Sequence, residues 1–162
     1  MSSLASSLQS PSNCEQDLSL SNPMVQQAYT GLSAYDTLYH AACLTNPSTG
    51  NYCFADAVTN SSAPTSSYIY YLPLGLSLPA GTRPACNQCL QNTMAIFAEA
   101  ASNATTELSG DYGQAAQMVD MGCGPNFVQE SVVVSNGTPT MGVGLGLLTG
   151  MLMLFTLLFF FF

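Results

Sequence analysis

Charged side chains are scarce in this chain of 162 residues. Only 6% of its residues are charged, against about 25% in ordinary soluble domains, and lysine is absent. Arg83 is the single basic residue beside nine acids, so the net charge is −8 at pH 7. Such a surface repels a phosphate backbone, which excludes nucleic acid as a partner. Solubility has to come from Ser, Thr, Asn and Gln side chains and from attached sugar.

Residues suited to catalysis are equally few. His40 is the only histidine, and Asp36 lies one helical turn before it, a pair that can orient a general base. The plainer interpretation is a structural aspartate whose carboxylate bonds to His40 or to a tyrosine hydroxyl. The nucleophile-elbow motif Gly-x-Ser-x-Gly is missing. Three acids, Glu99, Glu107 and Asp111, are predicted near a helix end, and we interpret them as solvated surface residues rather than paired catalytic carboxylates. We therefore predict a protein that is not an enzyme and uses no cofactor.

The first residues lack the features of a secretory leader. Residues 1–13 have neither a basic start nor an apolar run of sufficient length. Because the other end of the chain points to the secretory pathway, we expect either a leader upstream of this sequence or insertion through the C-terminal tail.

The strongest positive feature is that tail. Residues 141–162 carry no charge and finish in four phenylalanines. Small residues precede the tail by a spacer of about ten residues, the order that directs exchange onto a glycosylphosphatidylinositol (GPI) anchor. The sequence favours Asn136 as the attachment site, followed by Ser135 and Gly137. Residues 129–140 then form the stalk and attachment region, and residues 141–162 are removed.

The same tail has a second interpretation. As a helix it would reach roughly 33 Å, enough to cross the hydrocarbon core of a bilayer. A tail-anchored or single-pass membrane protein is therefore the alternative, with residues 141–162 retained as an integral membrane span.

The cysteines indicate an oxidising compartment. Their even number and wide spacing favour disulfide bonds among all six, with fifteen connectivities open. We expect Cys43–Cys53 to close a short turn and Cys123 to meet the helix of Cys86 and Cys89. A zinc site is disfavoured because the single histidine does not complete a ligand set. The six cysteines are Cys14, Cys43, Cys53, Cys86, Cys89 and Cys123.

Glycosylation acceptor sequences add to the same picture. Asn60 and Asn103 each stand two residues before a serine or threonine, with no proline between. A chain rich in Ser, Thr and Asn produces such sequences by chance, so they count here only together with the cysteines and the tail.

Apolar periodicity predicts an all-α fold. We expect a flexible lead over residues 1–21 and a small, disulfide-stapled helical domain over residues 22–128. Asn22 and Pro23 have the chemistry of a helix start, Gly124-Pro125 that of a helix end, and further helices are expected from about residue 52, residue 82 or 84, and residue 111. The first long helix is predicted to pack through Val25, Ala28, Tyr29, Leu32, Tyr35, Tyr39, Ala42 and Cys43.

A tyrosine-rich segment stands between the predicted helices. Prolines flank it, so we expect an extended segment lying across the helices rather than a strand of a sheet. Exposed, Tyr68, Tyr70 and Tyr71 would offer rings to a sugar or to an apolar ligand; buried, they would simply belong to the core. A module that binds a lipid, sterol or glycan along residues 68–78 is the alternative function.

Five runs resemble sequences of a known family: NPMVQQAYTGLSAYDTLYHAACL, TGNYCFADAV, YIYYLPLGLSLP, PACNQCLQNTMAIFAEAA and MGCGPNFV. They resemble a fungal family of secreted, GPI-anchored proteins with a domain of unknown function, over about residues 14–128. The resemblance implies an ascomycete cell surface or wall, a leader and further cysteines upstream, and an upstream partner for Cys14. It implies no activity.

The sequence thus predicts a non-enzymatic glycoprotein of the outer membrane leaflet or the cell wall, carried there by the secretory pathway and held by a lipid anchor. Its expected partners are the membrane and wall glycan.

Overall fold

The computed structural model describes residues 1–134 and shows an all-α domain, as predicted. Within these residues no β-strand occurs, and a single isolated bridge joins Thr45 to Tyr52. The helices are α1 (Ser2–Leu8), α2 (Glu15–Ser19), α3 (Pro23–Ala42), α4 (Cys53–Thr59), a 3-10 helix (Pro64–Leu74), α5 (Gln88–Ala101) and α6 (Leu108–Cys123).

The core forms where α5, α6 and the 3-10 helix meet. Along α5 and α6, apolar residues recur at three- and four-residue steps, and most of them are buried together. Phe97 of α5 and Val119 of α6 are fully shielded from solvent. The cluster comprises Ala41, Ile69, Tyr70, Leu72, Leu78, Leu90, Met94, Phe97, Ala98, Ala101, Leu108, Tyr112, Ala115, Ala116 and Val119.

Local chemistry explains where the long helices begin. Asn22 caps α3 by accepting a hydrogen bond from the backbone N–H of Met24 at 3.1 Å, and Pro23 occupies the first helical position. Helix α5 begins at Gln88, later than expected. The backbone N–H groups of Arg83 and Ala85 donate instead to side-chain oxygens of the 3-10 region, which holds residues 83–85 outside the helix.

The packed face of α3 differs from the prediction. Ala34 and Ala41 are buried and Leu38 is partly buried, whereas Tyr35 and Tyr39 of the expected stripe are 42% and 55% exposed. Alanines let α3 approach the 3-10 helix and α5, which already supply large side chains. The tyrosines lie on the neighbouring face, where their hydroxyl groups stay in contact with water.

The expectation of a flexible lead over residues 1–21 is corrected. Two short helices occupy this region, and α1 packs on α3 with Ala5 buried between them. The hydroxyl of Ser2 donates to the Asp36 carboxylate at 2.7 Å, and the Gln9 amide donates to the Tyr29 hydroxyl at 2.8 Å. Residues 1–21 therefore belong to the folded domain.

The tyrosine-rich segment lies across the helices as expected, but it is a 3-10 helix rather than an extended chain. With no neighbouring strand to accept its hydrogen bonds, the backbone satisfies them locally. Gly75 ends the element with φ +73°, and a Cβ there would lie 3.2 Å from a Glu107 carboxylate oxygen.

The folded domain also extends beyond its predicted end at residue 128. Residues 124–134 turn back along α6, where Phe127, Val128 and Val132 pack against the core. The beginning of the expected stalk is thus part of the domain. Among residues 1–134 no helix is long and apolar enough to span a bilayer. The proposed attachment residues Ser135, Asn136 and Gly137 and the tail over residues 141–162 lie outside the described residues.

Candidate functional site

Two disulfides hold the domain together. Cys53 pairs with Cys89, joining α4 to the first turn of α5, and Cys86 pairs with Cys123 at the end of α6. The meeting of Cys123 with the Cys86/Cys89 region is as predicted. The sequence intervals 53–89 and 86–123 overlap, so the two bonds cross-link one continuous unit.

The predicted Cys43–Cys53 bond is wrong. Backbone hydrogen bonds close that turn instead, from Cys53 N–H to Leu44 at 2.7 Å and from Asn46 N–H to Asn51 at 2.8 Å. Cys53 is buried against α5, whereas Cys43 is exposed at the end of α3. Cys43 and the half-buried Cys14 carry free thiols, contrary to the expectation that all six cysteines are paired.

The Asp56 carboxylate organises the turn before α4. It accepts hydrogen bonds from the Asn46 amide at 2.6 Å, the Thr49 hydroxyl at 3.0 Å and the Asn51 amide at 3.1 Å. These bonds favour the charged form, with Asn46 making the largest contribution, and lower the pKa of Asp56. The three hydrogen bonds tie the turn at residues 46–51 to the first turn of α4.

The lowered pKa of Asp56 predicts a pH dependence. A carboxylate with a depressed pKa in the folded state stabilises the fold above its unfolded pKa of about 3.9, and this contribution is lost as the pH falls through the folded value. We expect the thermal stabilities of the wild type and Asp56→Asn to differ at pH 6 and to converge as the pH falls through the lowered pKa of the folded state. Calorimetry at several pH values measures this, and a constant difference would contradict it.

The tyrosine-rich segment divides into one core residue and two surface residues. Tyr70 is 7% exposed, and its hydroxyl lies 3.3 Å from that of Thr93. Burial raises the pKa of Tyr70, partly offset by this hydrogen bond. Tyr68 and Tyr71 are 38% and 48% exposed, with ring centroids 6.5 Å apart. The three predicted contact residues therefore do not share one surface.

A small cavity lies beside Tyr70. Its volume is about 40 Å³, and Ile69, Leu90 and the Cys53–Cys89 disulfide contribute to its wall. Pockets that enclose organic ligands usually measure about 300–1,000 Å³. This cavity has room for a few water molecules, and a sterol or acyl chain does not fit.

The aspartate–histidine pair of α3 does not form through side chains. His40 Nδ1–H donates to the backbone carbonyl of Asp36 at 2.8 Å, which leaves Nε2 as the other ring nitrogen. The Asp36 carboxylate is bonded to Ser2 instead. Both residues are exposed, and the carboxylate does not orient the imidazole. Both residues line an open groove of about 650 Å³ between α3 and α5.

Sequence reasoning missed a buried carboxylate. Asp120 is 6% exposed, and its two oxygens accept the backbone N–H groups of Asn126 and Val128, each at 2.9 Å. These bonds hold the turn after Gly124, where φ is +103° at the glycine and +60° at Asn126. The burial of Asp120 could have been inferred from the sequence, because this residue stands four positions after Ala116, on the apolar stripe of α6.

Tyr112 holds another part of the segment that follows α6. We call this segment, residues 124–134, the strap. Its ring is buried, and its hydroxyl donates to the Gln129 carbonyl at 2.6 Å. Burial, followed by the negative charge of Asp120, raises the pKa of Tyr112 to about 12. The phenol therefore stays protonated and keeps donating through the whole physiological range.

Both predicted glycosylation residues lie in turns. Asn103 is exposed, and its Oδ1 accepts hydrogen bonds from the N–H and hydroxyl of Thr105. Asn60 is half-buried, and its Oδ1 accepts the N–H groups of Ser62 and Ala63. These contacts use the oxygen, not the Nδ2 atom to which a sugar is joined.

Across the described part of the chain, no group of three His, Cys, Asp or Glu side chains is placed to hold a metal ion.

The comparisons with known proteins give a family and no function. Searches of curated proteins and of solved structures gave no match. Residues 1–132, which include both disulfides and the Asp120 turn, match the family described as Domain of unknown function (DUF7729), and the chain belongs to that family.

Proposed function

We propose that this protein is a non-enzymatic module of a fungal cell surface or wall, displayed on a GPI anchor joined near Asn136. The disulfide-linked domain presents an acidic surface, and sugar at Asn60 and Asn103 adds bulk and solubility. The anchor determines where the protein is located. Its partners are the membrane, through the lipid, and wall glycan.

The observation that carries the proposal is the pair of disulfides. Such bonds form and persist in extracellular compartments and are rare in the cytosol. The Cys53–Cys89 bond is buried, with Cys89 6% exposed and Cys53 1% exposed. In the second bond Cys123 packs against the core, while Cys86 is exposed. A fold built around these bonds suits a secreted protein.

The route of the chain after α6 also supports display. The strap over residues 124–134 is held by Asp120 and Tyr112, so the domain remains folded up to the proposed attachment region. The sequence that follows combines small residues, a spacer and an apolar run, in the order of an anchor signal.

A non-enzymatic role rests on the side chains that are present. The only histidine uses Nδ1 on a backbone carbonyl, and the neighbouring carboxylate is bonded to Ser2 rather than to the imidazole. The cavity at Tyr70 is too small to enclose an organic substrate. Neither place combines a nucleophile with an oriented base.

Mass spectrometry of the C-terminal peptide of the native protein tests the proposal. We expect a peptide ending at or beside Asn136, carrying a phosphoethanolamine–glycan remnant and lacking residues 141–162. Recovery of an intact Phe162 would overturn the anchor and favour the membrane-span alternative. Free thiols at all six cysteines in the same digest, alkylated without reductant, would place the domain in a reducing compartment.

A further inference from the structure

The outer surface of α3 carries a row of aromatic rings that packing does not use. The rings of Tyr35 and Tyr39 are stacked, with centroids 6.1 Å apart and planes 11° from parallel. They are 42% and 55% exposed. The edge contact between Tyr39 and His40, with centroids 5.8 Å apart, continues the row toward the groove between α3 and α5.

The groove beside this row is open, and both polar and apolar side chains line it. Its volume of about 650 Å³ lies within the range of ligand sites. His40 Nδ1 is occupied by the Asp36 carbonyl, so Nε2 is the ring atom available to a ligand. The side chains that line the groove include Asp36, Thr37, His40, Ile96, Glu99 and Ser102.

We propose that this surface is a binding site for a neutral glycan, with a sugar stacked on Tyr39 and Tyr35 and the neighbouring sugar hydroxyls in the groove. Pyranose rings present C–H faces to aromatic rings, while carboxylates and an imidazole nitrogen accept hydrogen bonds from paired hydroxyls. The platform and the groove supply these two kinds of contact on adjacent faces of one helix.

The charge of the groove selects the ligand class. Asp36 and Glu99 contribute carboxylates, and the only basic residue of the chain, Arg83, is not among the lining residues. An anionic ligand such as a phosphate or a uronic acid polymer is repelled. An acyl chain is disfavoured because the groove is open and would place the chain against the Asp36 and Glu99 carboxylates. A neutral ligand that offers both hydroxyl groups and C–H faces is the class that fits.

Titration of the full chain followed by NMR tests the site, in micelles of a detergent without a sugar headgroup. His40 is the only histidine, so its ring C–H signals report on the groove without ambiguity. The probes are the trimers of β-1,3-linked glucose and of N-acetylglucosamine, with trigalacturonate as the anionic control. We expect saturable shifts with at least one neutral trimer and none with trigalacturonate.

Three variants locate the binding surface. We expect Tyr39→Ala to weaken binding by roughly fivefold or more, because the stacking ring is lost. Tyr52→Ala removes an equally exposed tyrosine, 59%, that does not line the groove, and should leave binding unchanged. The absence of any shift up to about 20 mM trimer, or equal affinity in Tyr39→Ala, overturns the proposal. Loss of binding in Tyr71→Ala alone also overturns it and moves the site to the 3-10 helix.

The inference does not depend on the anchor. The titration reports on residues of the folded domain, while the C-terminal peptide reports on processing. A protein that keeps Phe162 and still binds a trimer would separate the two conclusions.

Discussion

Replacing Cys89 by serine is expected to lower the free energy of unfolding by about 4 kcal/mol. The bond between Cys53 and Cys89 closes a loop of 36 residues, and opening it restores conformational freedom to the unfolded chain. Domains of this size are stable by only about 5–15 kcal/mol, so the loss is a large share of the total. Chemical denaturation of the oxidised proteins measures the difference.

The unpaired cysteines provide matched controls for this experiment. Cys43→Ser and Cys14→Ser replace the same atoms without opening a cross-link, and we expect changes below about 1 kcal/mol. A large loss in Cys43→Ser, together with a Cys43–Cys53 peptide in a non-reducing digest, would contradict the pairing with Cys89. Cys86→Ser should match Cys89→Ser, because its loop of 37 residues has nearly the same length.

Replacing Asp120 by alanine is expected to destabilise the domain by about 3 kcal/mol and to lower its melting temperature by about 10 °C. The carboxylate is buried and accepts two backbone N–H groups, so its removal leaves both donors without a partner. Asp120→Asn should cost less, because its amide oxygen can retain one of these hydrogen bonds. Thermal unfolding followed by circular dichroism measures both.

An acid on the same helix controls for the loss of charge. Asp111 lies in the first turn of α6 and is only half-buried, so Asp111→Asn removes a favourable helix-end interaction of at most about 1 kcal/mol. Equal melting temperatures for Asp120→Ala and Asp111→Asn would show that the buried hydrogen bonds do not hold the strap. Hydrogen exchange at Val128 identifies the local effect, because its N–H should lose protection in Asp120→Ala first.

Helix chemistry was predictable at the ends and along the stripes of α5 and α6. Asn22 and Pro23 at the start of α3 and Gly124 at the end of α6 act through atoms only a few residues away, so their roles can be inferred from the sequence. The apolar stripes of α5 and α6 could be inferred as well, because most apolar residues at helical spacing in each helix are buried.

The candidate site was less predictable. Tyr35 and Tyr39 recur at helical spacing and look like core residues, yet the small residues Ala34 and Ala41 face the core. Periodicity identifies a face but does not say which of two adjacent faces a partner helix covers. The groove at His40 could not be predicted either, because its second wall comes from α5, more than fifty residues away in the chain.

The amino-acid sequence by itself determined the class of this protein. Its scarcity of charge, even set of cysteines and helical periods establish an acidic, disulfide-containing, all-α domain, because composition and near-neighbour bonding are properties of the chain alone. Tertiary structure decided the partner of Cys53, the separation of buried Tyr70 from exposed Tyr71, and the burial of Asp120. Each of these depends on which distant segment packs alongside, and packing selects among partners that are equivalent in a linear sequence.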